Sequence, residues 1–402
     1  MIYGAYEARR AVVDAAHASM EIGSGALRTA TEWGLPPQAA RLGQAAVQTL
    51  SMAQITHERP QFRVEEVVRD GEAIPVHEQA VLGKPFATLQ RFVPEDGAEL
   101  PKVLIVPGLA GHFATLVRNT VATMLADHDV YVTDWHNARD VPLSDGPFGL
   151  DEYVSYLIEF LEQVGPGATI LAVCQPCVPV LAATAIMAED ENPAAPAGVI
   201  LMAGPVDARV NPGSVNEAAN RYPLSVVERV ALTRVPRPHA GAGRKVYPGF
   251  LQMGGFLSMS PSRHVKAFGS QFMDVLRYND DEAARRSDFY EEYFAVLDIA
   301  AEFYLDTARA VFRDHDLARG AMRWRGRTVD PGAITQPLFT IEGENDAFCP
   351  PGQTAAAQRL CTGVAEADRR HLVQAGVGHY GVFSGSRFEQ EIYPQMKDFI
   401  AR

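Results

Sequence analysis

The sequence is poor in cysteine, has no excess of positive charge and contains no long apolar run. Only 4 of the 402 residues are cysteine, which excludes a disulfide framework and makes the reducing cytoplasm the expected location. Lys and Arg total 36 against 49 Asp and Glu, and the net charge of −13 argues against nucleic acid as a partner. No apolar stretch reaches the ~20 residues of a membrane span. A twin-arginine export signal is not expected either, because Asp14, His17 and Glu21 interrupt the segment that follows Arg9 and Arg10.

The first part of the chain divides into a helical and a strand-rich segment. Residues 1–56 are rich in alanine and predict helices, with breaks at 23–25 (Gly-Ser-Gly) and at the prolines 36–37. Residues 60–94 alternate apolar and polar side chains around an Asp-Gly turn dipeptide. That alternation predicts antiparallel strands.

From residue 101 onward, apolar strand-like runs alternate with helical segments. The alternation predicts an α/β fold, in which a mostly parallel sheet carries helices on both faces. It stops over 208–334, and we expect this long insertion to form a helical lid or cap between the two parts of the core, 1–207 and 335–402. The strand-like runs are 102–108, 129–135, 168–174 and 197–207, and 337–348 and 370–381 are each a strand with its following loop. The helical segments are 113–127, 150–165, 178–190, 352–364 and 386–402.

Two cysteines at a Cys-x-x-Cys spacing lie in the segment ILAVCQPCVPVLAA, residues 170–183. The spacing fits a thioredoxin-like redox pair, half of a zinc site, or a nucleophile on a turn between a strand and a helix. The redox interpretation is disfavoured because two strand–helix units already precede Cys174. Zinc requires a second close ligand pair, and the other cysteines, Cys349 and Cys361, are 12 residues apart without a nearby histidine.

The third interpretation places Cys174 on a nucleophile elbow. A thiol between a strand and a helix faces the positive end of the helix dipole, which favours the thiolate. The residues two before and two after it are Ala172 and Pro176, so the segment departs from G-x-S-x-G at all three defining positions. Cys177 falls in the following helix and is expected to be a buried core residue, although a disulfide with Cys174 on oxidation is a second hypothesis.

The elbow needs an acid and a histidine, and both follow in the required order. Asp346 comes after the strand 338–341, and His379 comes after the strand 371–375 in a glycine-rich loop. Active-site groups of parallel α/β sheets lie at these carboxyl ends. His379 is expected to take the proton of Cys174, and Asp346 to hold the imidazole; Asp207 is the rival acid.

The remaining site residues are expected on the loops beside the elbow and on the insertion. The oxyanion hole is assigned to the backbone N–H of Gln175 and to that of Leu109, with Ala110 as the alternative to Leu109. Methionine and aromatic side chains suit an adaptable apolar substrate site, although plain packing explains the same residues equally well. The candidate substrate-binding residues are Trp135, His136, Phe250, Met253, Phe256 and Met259.

With these residues, the chain resembles the intracellular polyhydroxybutyrate depolymerases of bacteria that store polyester granules. In that family the fold is an α/β-hydrolase with a cysteine nucleophile, and its Cys, Asp and His fall on Cys174, Asp346 and His379. Related polyester synthases usually carry the cysteine in a glycine-flanked box, which the Ala172 and Pro176 version lacks. The resemblance rests on MIYGAYEARRAV (1–12), GHFATLVRNTV (111–121), DHDVYVTDWHNARDVPL (127–143), AVCQPCVPVLAA (172–183), EGENDAF (342–348) and GVGHYGVFSGSRF (376–388).

The resemblance implies hydrolysis of 3-hydroxybutyrate ester bonds in amorphous polymer, with neither a metal nor an organic cofactor. It implies poly(3-hydroxybutyrate) or its granule surface as the partner and a cytoplasmic, granule-associated location. A homo-oligomer is left open. Three other functions remain: a polyester synthase, a generic ester or thioester hydrolase, and a non-catalytic protein of the granule surface.

Overall fold

The computed structural model describes residues 2–30, 36–259 and 261–402. The side chain of Met259, one of the candidate substrate-binding residues, lies outside the described part. The α-helices of the described part are α1 (Ile2–Ala30), α2 (Pro37–Ser51), α3 (Arg118–Met124), α4 (Leu150–Val164), α5 (Cys177–Glu189), α6 (Ser214–Asn220), α7 (Leu224–Val230), α8 (Gly249–Met259), α9 (Pro261–Leu276), α10 (Asp280–Phe294), α11 (Ala301–Ala310), α12 (Ala357–Leu360) and α13 (Tyr393–Ile400).

A nine-stranded sheet forms the centre of the part of the chain that the structure describes, in the order β1-β2-β3-β5-β4-β6-β7-β13-β14. Six neighbouring strands of this sheet are parallel: β5, β4, β6, β7, β13 and β14. The strands β1, β2 and β3 extend the sheet as antiparallel neighbours. The strands of the chain are β1 (Glu66–Arg69), β2 (Glu72–Lys84), β3 (Ala87–Pro94), β4 (Lys102–Val106), β5 (Asp129–Trp135), β6 (Thr169–Val173), β7 (Gly198–Met202), β8 (Thr233–Arg234), β9 (Lys245–Tyr247), β10 (Ile299–Ala300), β11 (Arg323–Trp324), β12 (Arg327–Thr328), β13 (Leu338–Gly343) and β14 (Arg369–Gln374).

Helices cover both faces of this sheet, so the predicted α/β fold class is confirmed. Side chains of α4, α5 and α11 pack into the core on one face. Side chains of α3 and α13 pack into the core on the other. The central strands β4, β6 and β7 are almost entirely buried, as expected for parallel strands enclosed on two sides.

The helical N-terminal segment differs from the prediction at one point. The expected break at 23–25 is wrong, because α1 continues through it. Glycine and serine each cost a helix only about 1 kcal/mol or less relative to alanine, and the surrounding residues are good helix formers. The second break is confirmed, since α2 begins with Pro37 at its first position, where a missing N–H costs nothing.

The segment between β7 and β13 contains six of the described helices, α6 to α11. It also contains short strands that the sequence did not predict: β8, β9 and β10 form one small antiparallel sheet, and β11 and β12 form a hairpin. Each of these strands is only two or three residues long, too short for an alternating pattern to reveal it. Residues of α6, α8 and α11 line the cavity beside Cys174.

Candidate active site

Cys174 lies immediately after β6 and immediately before the turn that starts α5. Its φ is +71°, a left-handed conformation that β-carbon-bearing residues rarely adopt. The Cys174 N–H donates to the carbonyl of Met202 at 2.8 Å, and the Cys174 carbonyl accepts the N–H of Cys177 at 3.3 Å. The strained residue is therefore fixed on both sides, and its thiol, only partly buried, lies at the carboxyl edge of the sheet.

The second cysteine of the pair, Cys177, points away from the cavity. Its Sγ is fully buried and lies 3.8 Å from the carbonyl of Ala172 and 3.9 Å from that of Met202. Burial raises the pKa of the Cys177 thiol well above its usual value, so it stays protonated. The position is that of a core residue at the first turn of α5.

Asp346 and His379 meet at the ends of β13 and β14. His379 Nδ1 donates to Asp346 Oδ2 at 2.7 Å, because a carboxylate only accepts hydrogen bonds. Asp346 Oδ1 accepts the backbone N–H groups of Phe348 at 2.8 Å and Cys349 at 2.9 Å. These contacts hold the carboxylate in one orientation and leave the Nε2 side of the imidazole for Cys174.

The electrostatics of His379 favour its protonated form. Burial by itself lowers the pKa of His379, but the charge of Cys174, the charge and hydrogen bond of Asp346 and a hydrogen bond with Cys174 outweigh it. Together they raise the pKa of His379 to about 10. An imidazolium beside a sulfur is the arrangement that keeps a cysteine as thiolate and supplies a proton to a leaving group.

Asp207, the rival acid, is engaged elsewhere. Its carboxylate accepts Arg209 Nε at 2.8 Å and Arg209 Nη2 at 2.9 Å. The hydrogen bond from Arg209 lowers the pKa of Asp207. The structure therefore brings Asp346, and not Asp207, into contact with His379.

A cavity of about 340 Å³ opens at Cys174 and His379. Its wall is largely apolar and aromatic, with contributions from the sheet edge and from the segment between β7 and β13. Phe348, Tyr380 and Phe383 of this wall are in ring contact with His379. The other large apolar side chains of the wall include Leu116, Val215, Tyr247, Phe256, Phe303, Tyr304 and Phe312. A site of this kind accepts an apolar substrate.

Of the substrate-binding candidates with described side chains, only Phe256 lines this cavity. Phe250 stacks on Tyr6 of α1 with ring centroids 3.8 Å apart. Met253 is buried in a cluster with Met52 of α2 and the aromatic residues Tyr290, Tyr293 and Phe294 of α10. Neither side chain lines the cavity beside Cys174, because helical spacing alone did not reveal which face of α8 turns towards it.

Trp135 and His136 also lie away from Cys174. The Trp135 indole stacks on Tyr153 at 4.2 Å and donates to the carbonyl of Pro107 at 3.2 Å. His136 donates from Nδ1 to the carbonyl of Pro85 at 2.9 Å. Both residues border a second cavity, of about 460 Å³. The end of β5 reaches the sheet edge as expected, but the Trp135 side chain is buried in the core and the partly buried His136 is held beside Pro85.

The oxyanion-hole candidates are at the site, with one unexpected contact. Leu109 and Gln175 both line the cavity. The Leu109 N–H, however, donates to the side-chain oxygen of Gln175 at 3.2 Å. The backbone N–H expected to face the substrate is thus occupied by a side chain of the elbow itself.

Two polar residues of the cavity wall were not predicted from the sequence. His112 and Gln252 line the cavity, and their side-chain Nε2 atoms are buried without a hydrogen-bond partner in the described ranges. Burial lowers the pKa of His112 to about 4, so its ring is neutral. A single glutamine within the apolar run GFLQMGGFL of α8 is the signal that would have indicated Gln252.

The sheet order and the Cys174–His379–Asp346 arrangement at its carboxyl edge define an α/β-hydrolase. Residues 203–402 match the family described as "PHB de-polymerase C-terminus". The chain belongs to the polyhydroxyalkanoate-related α/β-hydrolases.

Curated relatives cover a shorter part of the chain. A segment is 25% identical over 105 residues to the poly(3-hydroxyalkanoate) polymerase subunit PhaC of Haloferax mediterranei. A 105-residue match to the PhaC subunit of Haloarcula marismortui is 24% identical. Each covers 26% of this chain, and the matched part spans only 20% and 21% of the two relatives' own lengths.

Solved structures are similar at the level of the fold. A hydrolase from Pseudomonas aeruginosa gives a TM-score of 0.47 at 14% identity, covering 81% of this chain and 98% of that one. The α/β-hydrolase GrgF from Penicillium sp. sh18 gives 0.46 at 14% identity, covering 82% and 99%. In residues 2–30, 36–259 and 261–402, no helix is both long and apolar enough to cross a membrane.

Proposed function

We propose that the protein hydrolyses ester bonds of poly(3-hydroxybutyrate) to 3-hydroxybutyrate or short oligomers. The observation that carries the proposal is that Cys174, His379 and Asp346 lie in contact in that order, with Cys174 and His379 in the wall of an apolar cavity of about 340 Å³. A polyester chain is apolar apart from its ester groups, which suits such a wall. The match of residues 203–402 to a depolymerase C-terminus supports the same substrate class.

In the proposed reaction, Cys174 acts as the nucleophile of a two-step mechanism. The thiolate attacks the ester carbonyl carbon, a C–S bond forms, and the carbonyl electron pair moves to the oxygen. The N–H of Gln175 faces this oxyanion. The C–O bond then breaks, and the proton of His379 goes to the leaving alkoxide.

The second step releases the acid. His379 takes a proton from water, the hydroxide attacks the thioester, and the C–S bond breaks to restore the thiolate. Asp346 holds the imidazole in the tautomer that both steps require and stabilises the imidazolium. The substrate-binding part of the proposal rests on Phe256 and the other aromatic wall residues, and it assigns no substrate contact to Trp135, His136, Phe250 or Met253.

We also propose that the protein works in the cytoplasm at the granule surface, since its substrate is a solid polymer.

The second candidate function is polymer synthesis, which the PhaC relatives favour. Both functions use an acyl-cysteine, and they differ in whether water or a polymer alcohol receives the acyl group. Only the depolymerase releases soluble acid from polymer.

The test compares wild type, Cys174→Ala and Cys177→Ala on amorphous poly(3-hydroxybutyrate). We expect wild type and Cys177→Ala to release 3-hydroxybutyrate or oligomers, and Cys174→Ala to release none. Release of coenzyme A from 3-hydroxybutyryl-coenzyme A together with formation of polymer, and with no acid released from polymer, would establish the synthase. Activity that survives in Cys174→Ala and disappears in Cys177→Ala would show that the nucleophile is wrongly assigned.

A further inference from the structure

The side chain of Gln175, next to the nucleophile, has an orientation that its hydrogen bond determines. The residue is only 7% exposed and lines the cavity that contains Cys174. Its Oε1 accepts the N–H of Leu109 at 3.2 Å. Because a backbone N–H only donates, the oxygen of the carboxamide must face Leu109, and the NH₂ group must face the other way.

The NH₂ group of Gln175 is an unused donor. Nε2 is buried, and no hydrogen-bond partner for it lies among residues 2–30, 36–259 and 261–402. A buried donor without a partner is costly, and native proteins rarely leave one unsatisfied unless water or a ligand completes it. The cavity that Gln175 lines has a largely apolar wall, so the partner that we assign to this donor is an oxygen of the substrate or of water.

We propose that the side-chain amide of Gln175, rather than the N–H of Leu109, is the second donor of the oxyanion hole. This inference rests on the proposed acyl transfer at Cys174. As the C–S bond forms and the carbonyl electron pair moves to oxygen, the backbone N–H of Gln175 and its Nε2–H both donate to that oxygen. When the C–O bond breaks, the pair returns to the carbonyl, and the proton of His379 goes to the leaving alkoxide.

The hydrogen bond from Leu109 makes this amide a better donor. An N–H bound to the amide oxygen polarises the group and strengthens hydrogen bonds from its nitrogen. The same bond fixes the side-chain conformation before substrate arrives, so no reorganisation is needed during the reaction. Leu109 is therefore a positioning residue that acts through Gln175.

The experiment replaces the carboxamide by side chains of similar size. Gln175→Met removes the donor and the acceptor, and Gln175→Glu keeps an oxygen for Leu109 but places a carboxylate oxygen where the NH₂ was. With p-nitrophenyl butyrate, we expect kcat to fall about 10²- to 10³-fold in Gln175→Met and at least as far in Gln175→Glu, with little change in KM. Gln395→Met, the same change at an exposed position of α13, is the control and should retain wild-type kcat.

Alkylation of Cys174 by iodoacetamide separates this role from a structural one. The alkylation displaces iodide without forming an oxyanion, so Gln175→Met should be labelled at nearly the wild-type rate although its esterase activity is lost. A distorted elbow would slow both reactions. Wild-type or raised kcat in Gln175→Met would overturn the proposal, because it would mean that the released Leu109 N–H serves the oxyanion better.

The outcome also separates this inference from the proposed substrate. If wild type hydrolyses p-nitrophenyl butyrate but not the polymer, and Gln175→Met loses the first activity, then the oxyanion assignment stands and the depolymerase assignment fails. If wild type cleaves polymer and Gln175→Met cleaves both substrates normally, then the depolymerase stands and the oxyanion assignment fails.

Discussion

Replacing Asp346 by Asn tests the most completely connected group of the proposed site. Asp346 Oδ1 accepts two backbone N–H groups at 2.8 and 2.9 Å, and Oδ2 accepts His379 Nδ1 at 2.7 Å. Asn has one side-chain oxygen, and the two backbone donors keep it at the Oδ1 position. Its NH₂ group must then face Nδ1 of His379, which forces the ring proton to Nε2 and removes the base that faces Cys174.

The size of the loss follows from the role of the tautomer. The same change in a Ser-His-Asp protease lowers kcat about 10⁴-fold. A cysteine is the better intrinsic nucleophile, so we expect a fall of about 10²- to 10⁴-fold, equivalent to about 3–5 kcal/mol. The measurement is kcat with p-nitrophenyl butyrate, accompanied by the pH profile of Cys174 alkylation.

The pH dependence has a defined sign. Asp346 is one of the groups that raise the pKa of His379 from 6.5 to about 10, so its removal lowers this pKa and moves the alkaline limit of the activity to lower pH. A raised histidine pKa contributes stability that is complete below pH 6.5 and is lost as the pH rises through about 10. The Tm advantage of wild type over Asp346→Asn should therefore shrink across that window.

Asp207→Asn is the matched control, since Asp207 is also a buried carboxylate beyond a parallel strand but is paired with Arg209. It should keep kcat near the wild-type value. The reasoning is refuted if Asp207→Asn loses activity while Asp346→Asn keeps it. An unchanged pH profile in Asp346→Asn would refute the electrostatic part alone.

Three further predictions concern the elbow and the cavity. Gly204→Ala should destabilise the fold by at least about 2 kcal/mol in denaturant unfolding, because a Cβ there would lie 2.1 Å from Cys177 Sγ and 2.5 Å from the Cys174 carbonyl; unchanged stability would contradict this packing. Cys177→Ala should show the same peroxide inactivation as wild type, because the buried Cys177 thiol faces the carbonyls of Ala172 and Met202; loss of a dithiothreitol-reversible phase would instead support a disulfide. Phe256→Ala should reduce polymer hydrolysis about tenfold more than hydrolysis of p-nitrophenyl acetate, since a wall residue matters more to a long substrate; equal losses would refute a polymer contact.

The sheet and the line of Cys174, Asp346 and His379 could be predicted because each depends on a local pattern. Apolar runs of strand length end at the residues in question, and the carboxyl ends of parallel strands meet at one edge. The positions of Trp135, Phe250 and Met253 could not be predicted in this way. Which side of a helix or loop faces a cavity depends on contacts with distant segments, such as that between Phe250 and Tyr6 of α1.

The Gln175–Leu109 contact was beyond sequence reasoning for a different reason. Sequence identifies backbone donors from loop position alone, and it treats each N–H as available. The hydrogen bond between the Gln175 side chain and the Leu109 N–H joins residues that are 66 positions apart in the sequence, so it depends on the tertiary structure. The buried, unpartnered Nε2 then becomes informative only once the orientation of the carboxamide is known.

The departure of the elbow from G-x-S-x-G has a structural explanation in Gly204. Small residues normally flank the nucleophile because its strained turn crowds the neighbouring strand. Here Ala172 is small but Pro176 is not, and further space is provided across the sheet, where Gly204 follows β7 and a Cβ would meet both Cys174 and Cys177. The Cys-Gln-Pro-Cys segment is therefore one half of a two-part motif: Cys174 with its positive φ on one strand end, and a residue without a side chain on the next. A Cβ at position 204 would lie 2.1 Å from Cys177 Sγ and 2.5 Å from the Cys174 carbonyl, so the turn keeps this geometry only with a glycine there.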